Sequence, residues 1–225
     1  MVQFQSIFLA VSGMLYAVCA LKLQVYNNGD WEHDKFKDIE VNYGDCIRMR
    51  EIVCSEMGIS ADCTLHAETG VQIETCDAAS AAGVLFAVPE DKLFIYPPFD
   101  IGSEIILDDL RPHGEPLVLR TLSQTPKIYE IKNFFTNEEA DKLIESALSI
   151  TSESHKLQRS TTGQKEEKKI DRARTSDGAF DTDSEVANIF KKRSLELLRI
   201  HPYQDSWTDG IQVLRYNLSA AYNVR

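Results

Sequence analysis

The sequence has no cysteine after position 76 and no lysine or arginine before position 22, and its 225 residues contain no G-x-G pair at all. It also lacks a phosphate-cradling glycine loop and the G-x-S-x-G turn that presents a nucleophilic serine. These absences remove P-loop, dinucleotide-binding and α/β-hydrolase chemistry. Ser123, Ser176 and Ser206 stand in no nucleophile motif. Positive charge is scarce too: 24 Lys/Arg face 35 Asp/Glu, a formal charge of −11. Nucleic-acid backbones are held by Lys/Arg-rich surfaces, so nucleic acid is excluded as the main partner. There is no internal repeat and no low-complexity tract. What remains is ordinary globular composition, 43% hydrophobic and 26% charged, enough for one large domain or two small ones.

The charge is uneven. Residues 1–126 hold 19 Asp/Glu against 8 Lys/Arg, whereas residues 127–225 hold 16 of each. This places a compositional seam between 90 and 126. Met1–Leu21 carries no charge, and Ile7–Ala20 is a 14-residue apolar stretch ending in the small residues Ala17, Cys19 and Ala20. That length suits a signal-peptide core better than a bilayer span of about 20 residues, with Val18 and Ala20 before a cleavage point. An uncleaved anchor over Phe4–Leu21 and a buried helix are the competing readings; only the anchor brings in a membrane.

Beyond Cys19, the cysteines Cys46, Cys54, Cys63 and Cys76 form an even set within 31 residues. In a secreted chain this predicts two disulfides in one of three connectivities. Free buried thiols and zinc are the alternatives. Zinc prefers closer pairs such as C-x2-C, and the gaps here are 7, 8 and 12 residues.

Strands are predicted at Val84–Val88, Lys92–Tyr96, Glu104–Leu107, Leu117–Leu122, Ile128–Ile131 and Ile211–Tyr216, with a break at Pro97-Pro98. Thr136 and Glu139 form a capping box ahead of Ala140, Leu143, Ile144, Ala147 and Leu148, which predicts an amphipathic helix over 137–149. Thr182 and Glu185 repeat the pattern ahead of a helix over 184–199. Gly163–Arg174 reads as a solvated charged loop.

Four stretches of the second half carry a resemblance. They are Thr121–Pro126 with the strand Lys127–Ile131; Asn133-Phe134-Phe135-Thr136-Asn137-Glu138-Glu139; Arg174-Thr175-Ser176; and Ile211–Tyr216 with Tyr222 beyond it. In this order, with two helices between, residues 117–225 resemble the N-terminal part of the prolyl 4-hydroxylase catalytic domain. That family uses iron(II), 2-oxoglutarate and ascorbate to hydroxylate peptidyl proline. The resemblance implies an α+β chain: an incomplete double-stranded β-helix (jelly-roll) dioxygenase domain preceded by a small disulfide-rich, β-containing module. The implied division is a signal peptide or anchor at 1–20, an acidic cysteine module at 21–90, a connector with short strands at 91–122 and the catalytic-domain portion at 123–225. It implies a 2-oxoglutarate contact at Tyr216 and a peptide-facing set of Tyr222, Arg174, Ser176 and Asp209. It also implies the endoplasmic reticulum or secretory pathway as location, and a proline-containing peptide as partner.

The family places an iron-ligating His three residues after the second tyrosine, in H-x-D. Here that position is Arg225. A guanidinium offers only donors and has no lone pair for iron, so the expectation is a chain truncated before the iron motif, without iron ligands or catalytic residues of its own. His66-Ala67-Glu68 and His113-Gly114-Glu115 read H-x-E, but lie outside the resembling segment and are read as surface histidines. Three functions stay open: a fragment of a prolyl 4-hydroxylase, a non-catalytic binder of proline-rich peptides, and a secreted interaction module with an appended remnant. Asn217-Leu218-Ser219 is an N-glycosylation sequon beside the last strand.

Overall fold

The structure is a computed structural model that describes residues 7–11, 14–18, 20–32, 34–162, 169–170 and 175–218. The chain is α+β and divides into two compact units, Met1–Asn133 and Phe134–Arg225.

In the first unit, β1 (Ile7–Val11) and β2 (Met14–Val18) pair antiparallel in a two-stranded sheet of their own. Ile7–Val11 and Met14–Val18 of the apolar stretch are therefore paired strands in this structure. Among the described residues no helix is long and apolar enough to cross a membrane. A second sheet follows, built from β3 (Ala20–Asn27), β4 (Lys37–Asn42), β5 (Thr64–His66) and β6 (Val84–Val88) in the order β4-β3-β6-β5. β3 runs antiparallel to β4 and parallel to β6. Parallel neighbours need a long crossover, and here it carries α1 (Met49–Met57) and α2 (Cys76–Ala82). Gly58 ends α1 at φ 74°, a left-handed position that an L side chain rarely adopts.

Strand alternation sends Leu21, Leu23 and Val25 of β3 to one face. They join Ile39, Val41, Leu65, Leu85 and Ala87 beneath Met49, Val53 and Ala79 of the helices. Both disulfides sit in this core, Cys46–Cys76 with Cα atoms 5.6 Å apart and Cys54–Cys63 at 6.1 Å. The opposite face is aromatic. Tyr26 and Phe86 stack at 5.7 Å, Trp31 meets Phe99 edge-on at 4.9 Å, and Phe94 meets Tyr96 at 5.1 Å. With both faces covered, β6 reads as a continuous apolar run.

Lys92–Tyr96 is not a strand. Phe94 and Tyr96 are buried while Leu93 and Ile95 are exposed, so the alternation is present without a partner strand. The Asn28 side chain takes the partner's place: its amide donates to Leu93 O at 2.8 Å and its carbonyl accepts from Ile95 N at 2.9 Å. Pro97-Pro98 supplies no N–H, and its carbonyls are satisfied by side chains. Tyr129 donates to Pro97 O, Gln124 to Pro98 O at 3.0 Å, and Lys127 to Tyr96 O at 2.6 Å. Burial lowers the Lys127 ammonium pKa and raises that of the Tyr129 phenol. These donors belong to an antiparallel sheet, β7 (Glu104–Leu107), β8 (Leu117–Gln124) and β9 (Lys127–Lys132), in the order β7-β8-β9. The stretch 121–131, grouped by sequence with the second half, thus lies in the first unit.

In the second unit α3 (Asn137–Ser149) starts at the predicted box: Glu139 N donates to Thr136 Oγ1, and Thr136 N to Glu139 Oε2, both at 3.2 Å. Of its apolar stripe, Ala147 is buried while Ile144 and Leu148 are exposed. β10 (Gln158–Arg159), β13 (Asp177–Asp181) and β14 (Ile211–Arg215) form an antiparallel sheet in the order β10-β13-β14. β11 (Thr161–Thr162) pairs with β12 (Lys169–Ile170). α4 spans Glu185–Leu197 and is capped by Ser184, whose hydroxyl accepts from Ala187 N at 3.1 Å. The predicted cap, Thr182, instead donates to Asp183 at 2.8 Å. Ser184 wins because buried Asp181 fixes it, accepting from its N–H at 3.1 Å and its hydroxyl at 2.7 Å.

Candidate peptide-facing cleft

β13 is the middle strand of the second unit's sheet, and its two faces differ. Ala179 and Asp181 are buried on the side where α3 packs. Burial pushes the Asp181 carboxyl up, but hydrogen bonds from Ser146 and Ser184 and the backbone N–H groups of Ser184 and Asp183 outweigh it and hold the pKa below the usual range. The alternate residues, Gly178 and Phe180, lie opposite Leu214 and Gln212 of β14. This second face is open: Phe180 and Leu214 are 40% and 39% exposed.

A cleft of about 180 Å³ lies on the open face, lined by Ser154, Gln158, Arg159, Ser160, Thr161, Gly178, Phe180 and Gln212. The Arg159 guanidinium is engaged with Thr175 O. The cleft is therefore lined by hydroxyls, amides, one aromatic ring and the Arg159 side chain. Gly178 sits in the extended strand, where any residue fits the backbone. Space is the reason for glycine: a Cβ would stand 3.3 Å from Leu214 Cδ2 and 3.7 Å from Ser160 Oγ. A glycine inside a strand often marks the close approach of a ligand or another backbone.

The floor is held from below. Arg193 of α4 makes a two-pronged bond to Glu139 at 2.9 and 3.0 Å, donates also to Phe134 O, and lies 5.6 Å from the Phe134 ring and 5.8 Å from the Phe190 ring. The pair is only 9% and 17% exposed, so the cap of α3 and the body of α4 are tied in a dry setting. Lys191, 5% exposed, bonds Thr182 O at 3.2 Å and Asp205 at 3.0 Å, which fixes the loop leading to β14. Tyr203 adds a 2.8 Å bond to the same carboxylate, and these donors lower the Asp205 pKa.

The residues implied by the resemblance fall unevenly on this frame. Tyr216 follows β14 directly and is 45% exposed. Asp209 is exposed in the preceding loop and makes no hydrogen bond or ion pair among the described residues. Ser176 is fully buried, its hydroxyl 3.0 Å from that of Ser160, and its carbonyl accepts from Ser160 N at 3.0 Å. In this structure Ser176 supports the cleft wall rather than facing solvent. Arg174, Tyr222 and Arg225 lie outside the described residues. Sequence reasoning missed Gln158, Ser160, Gly178, Phe180 and Gln212. The sequence misdirects here: Ser176-Asp177-Gly178 carries turn chemistry, yet Asp177 and Gly178 lie in a strand.

An iron site was tested on the same frame. Cys46, Cys54, Cys63 and Cys76 are spent in disulfides. His66 has both ring nitrogens engaged, Nδ1 at 2.9 Å from Gly70 O and Nε2 at 2.9 Å from Thr64 Oγ1. A carbonyl can only accept, so Nδ1 carries the proton and the Nε2 lone pair is taken by the threonine hydroxyl. Among the described residues no three His, Cys, Asp or Glu side chains gather as a metal site. The described residues do not fit the family's metal, and no step through it is assigned to them.

Compared with known proteins, the chain matches no family model, no curated protein and no solved structure.

Proposed function

We propose that this chain is a secretory-pathway protein whose second unit is of the prolyl 4-hydroxylase kind and grips proline-containing peptides on the open face of the β10-β13-β14 sheet. The observation that carries the reading is the polar cleft above Gly178, in the segment where the motif order resembles that family. Its hydroxyl and amide groups suit the carbonyls of an extended peptide, and the exposed Phe180 ring suits a pyrrolidine ring. In the family, the hydroxylation of the bound proline is coupled to decarboxylation of 2-oxoglutarate at iron(II), with ascorbate. This chain's proposed share is peptide capture, with Tyr216 beside the cleft strand as the family's 2-oxoglutarate contact. The two disulfides support an oxidising compartment. The core sheet begins at β3, so removal of residues 1–20 would leave Leu21, Leu23 and Val25 in place.

The test is titration of the full chain with a fluorescent proline-rich peptide. Saturable binding is expected, weakened at least tenfold by Gly178→Val and absent for a peptide with alanine in place of proline. No saturable binding to the unaltered chain sinks the reading.

A further inference from the structure

A second feature of the same unit has a different chemistry. The chain contains one N-x-S/T sequence, Asn217-Leu218-Ser219. By sequence it adjoins a strand, where a sheet ladder would lock its backbone. In the structure β14 makes its last pairing at Arg215, opposite Asp177. Asn217 therefore lies past the ladder, in irregular chain that turns at Leu218. Asn217 is exposed and Leu218 is 99% exposed. The Asn217 amide makes no hydrogen bond among the described residues. An oligosaccharyl acceptor needs an amide nitrogen that is reachable and unpaired. Asn217 meets both conditions; Ser219 lies outside the described residues.

The second, independent observation is the pair of disulfides in the first unit. They require an oxidising compartment, and in a eukaryotic secretory route the glycan is added in that compartment. From these we infer that Asn217 is an N-glycosylation site, taking a dolichol-linked oligosaccharide as donor. The step is a transfer: the Asn217 amide nitrogen forms the bond to the sugar's anomeric carbon, the anomeric carbon–pyrophosphate bond breaks, and the amide proton leaves with the pyrophosphate. No oxidant or reductant is involved.

The inference does not depend on peptide binding, and its test reads neither peptide nor activity. The full chain is translated with endoplasmic-reticulum microsomes. Protease protection reads entry into the lumen, and a mobility shift reversed by endoglycosidase H reads the glycan. A protected chain with a single endoglycosidase-sensitive shift is expected. Asn217→Gln and Ser219→Ala should each abolish the shift without altering protection, and Ser219→Thr should restore or raise it. A protected chain with no shift overturns the inference. A chain that stays outside the microsomes overturns it as well, since the donor is lumenal. A shift that survives Asn217→Gln assigns the glycan elsewhere and is equally fatal.

Discussion

In the first unit, two disulfides cross a core that helices cover on one face and aromatic rings on the other. In the second there is no cysteine at all. There the linking falls to buried polar side chains: Arg193 with Glu139, Lys191 with Asp205, and Asp181 with Ser184. The first device constrains the unfolded chain and is indifferent to pH. The second acts only in the folded state and depends on charge. One unit should therefore fail on reduction and the other on neutralisation. Amide hydrogen exchange in the full chain reads the two separately.

The largest effect is expected in the first unit. Closing a 30-residue separation should contribute about 3.5 kcal/mol and closing 9 residues about 2.5 kcal/mol on the chain-entropy scale. Cys46→Ala with Cys76→Ala should then speed exchange in β3, β6 and α2 more than Cys54→Ala with Cys63→Ala. Neither should move the second unit. If reduction loosens both units equally, the contrast is wrong.

Arg193→Met comes next. It takes the two-pronged bond from Glu139, which keeps the Thr136 N–H of the capping box, and one donor from Phe134 O, in a setting less than one-fifth exposed, a loss of about 3 kcal/mol. Exchange should rise in α3 and α4 alone. The double variant Arg193→Met with Glu139→Leu should recover part of this, because the buried charge is gone although the Thr136 N–H loses its capping-box acceptor. A double variant as unstable as the single one would show that packing, not the ion pair, is at stake.

Asp181→Asn should cost about 2 kcal/mol, since hydrogen bonds to a carboxylate are the stronger kind. Its pH dependence has a fixed sign. The folded-state pKa lies below the ordinary value of 3.8, so the contribution is full above that value and is lost as pH falls through the folded pKa. The variant should flatten the acid limb of the second unit's stability curve. An unchanged acid limb would remove Asp181 from the account.

Such contrasts bear on what the sequence could disclose. α3 was legible to the residue because the Thr136–Glu139 box is local, four residues wide, and read by its own chemistry. β6 and β7 were legible because apolar runs bounded by turns say strand wherever they sit. β3 was hidden: Leu21, Leu23 and Val25 alternate cleanly, but they continue an apolar stretch that masks the period. α2 is seven residues of small side chains and needs a disulfide to hold it, which spacing alone left open among three pairings. β13 reads Asp-Gly-Ala-Phe-Asp, of which only Phe180 favours a strand, and exists because β10 and β14 flank it. The cleft failed for the same reason. Its residues run from 154 to 212, and only the pairing of three strands brings them to one face.

The smallest expected effect has the opposite sign, and that makes it the sharpest probe of the comparison. Glu68, in the loop after β5, is partly buried, and burial raises its carboxyl pKa above the usual 4.5 with no cation among the described residues to offset it. Ionised Glu68 is thus a small cost to the first unit at neutral pH. Above the raised pKa the cost is full; it fades as pH falls through that pKa towards 4.5. On acidification the first unit should tighten slightly before the second begins to loosen. Glu68→Gln should remove that early gain, leave the disulfide-linked strands as protected at pH 7 as they are in the unaltered chain at pH 5, and leave the second unit untouched. If the variant is instead less protected at pH 7, Glu68 has an ionised-state partner, and the first unit too is held in part by charge.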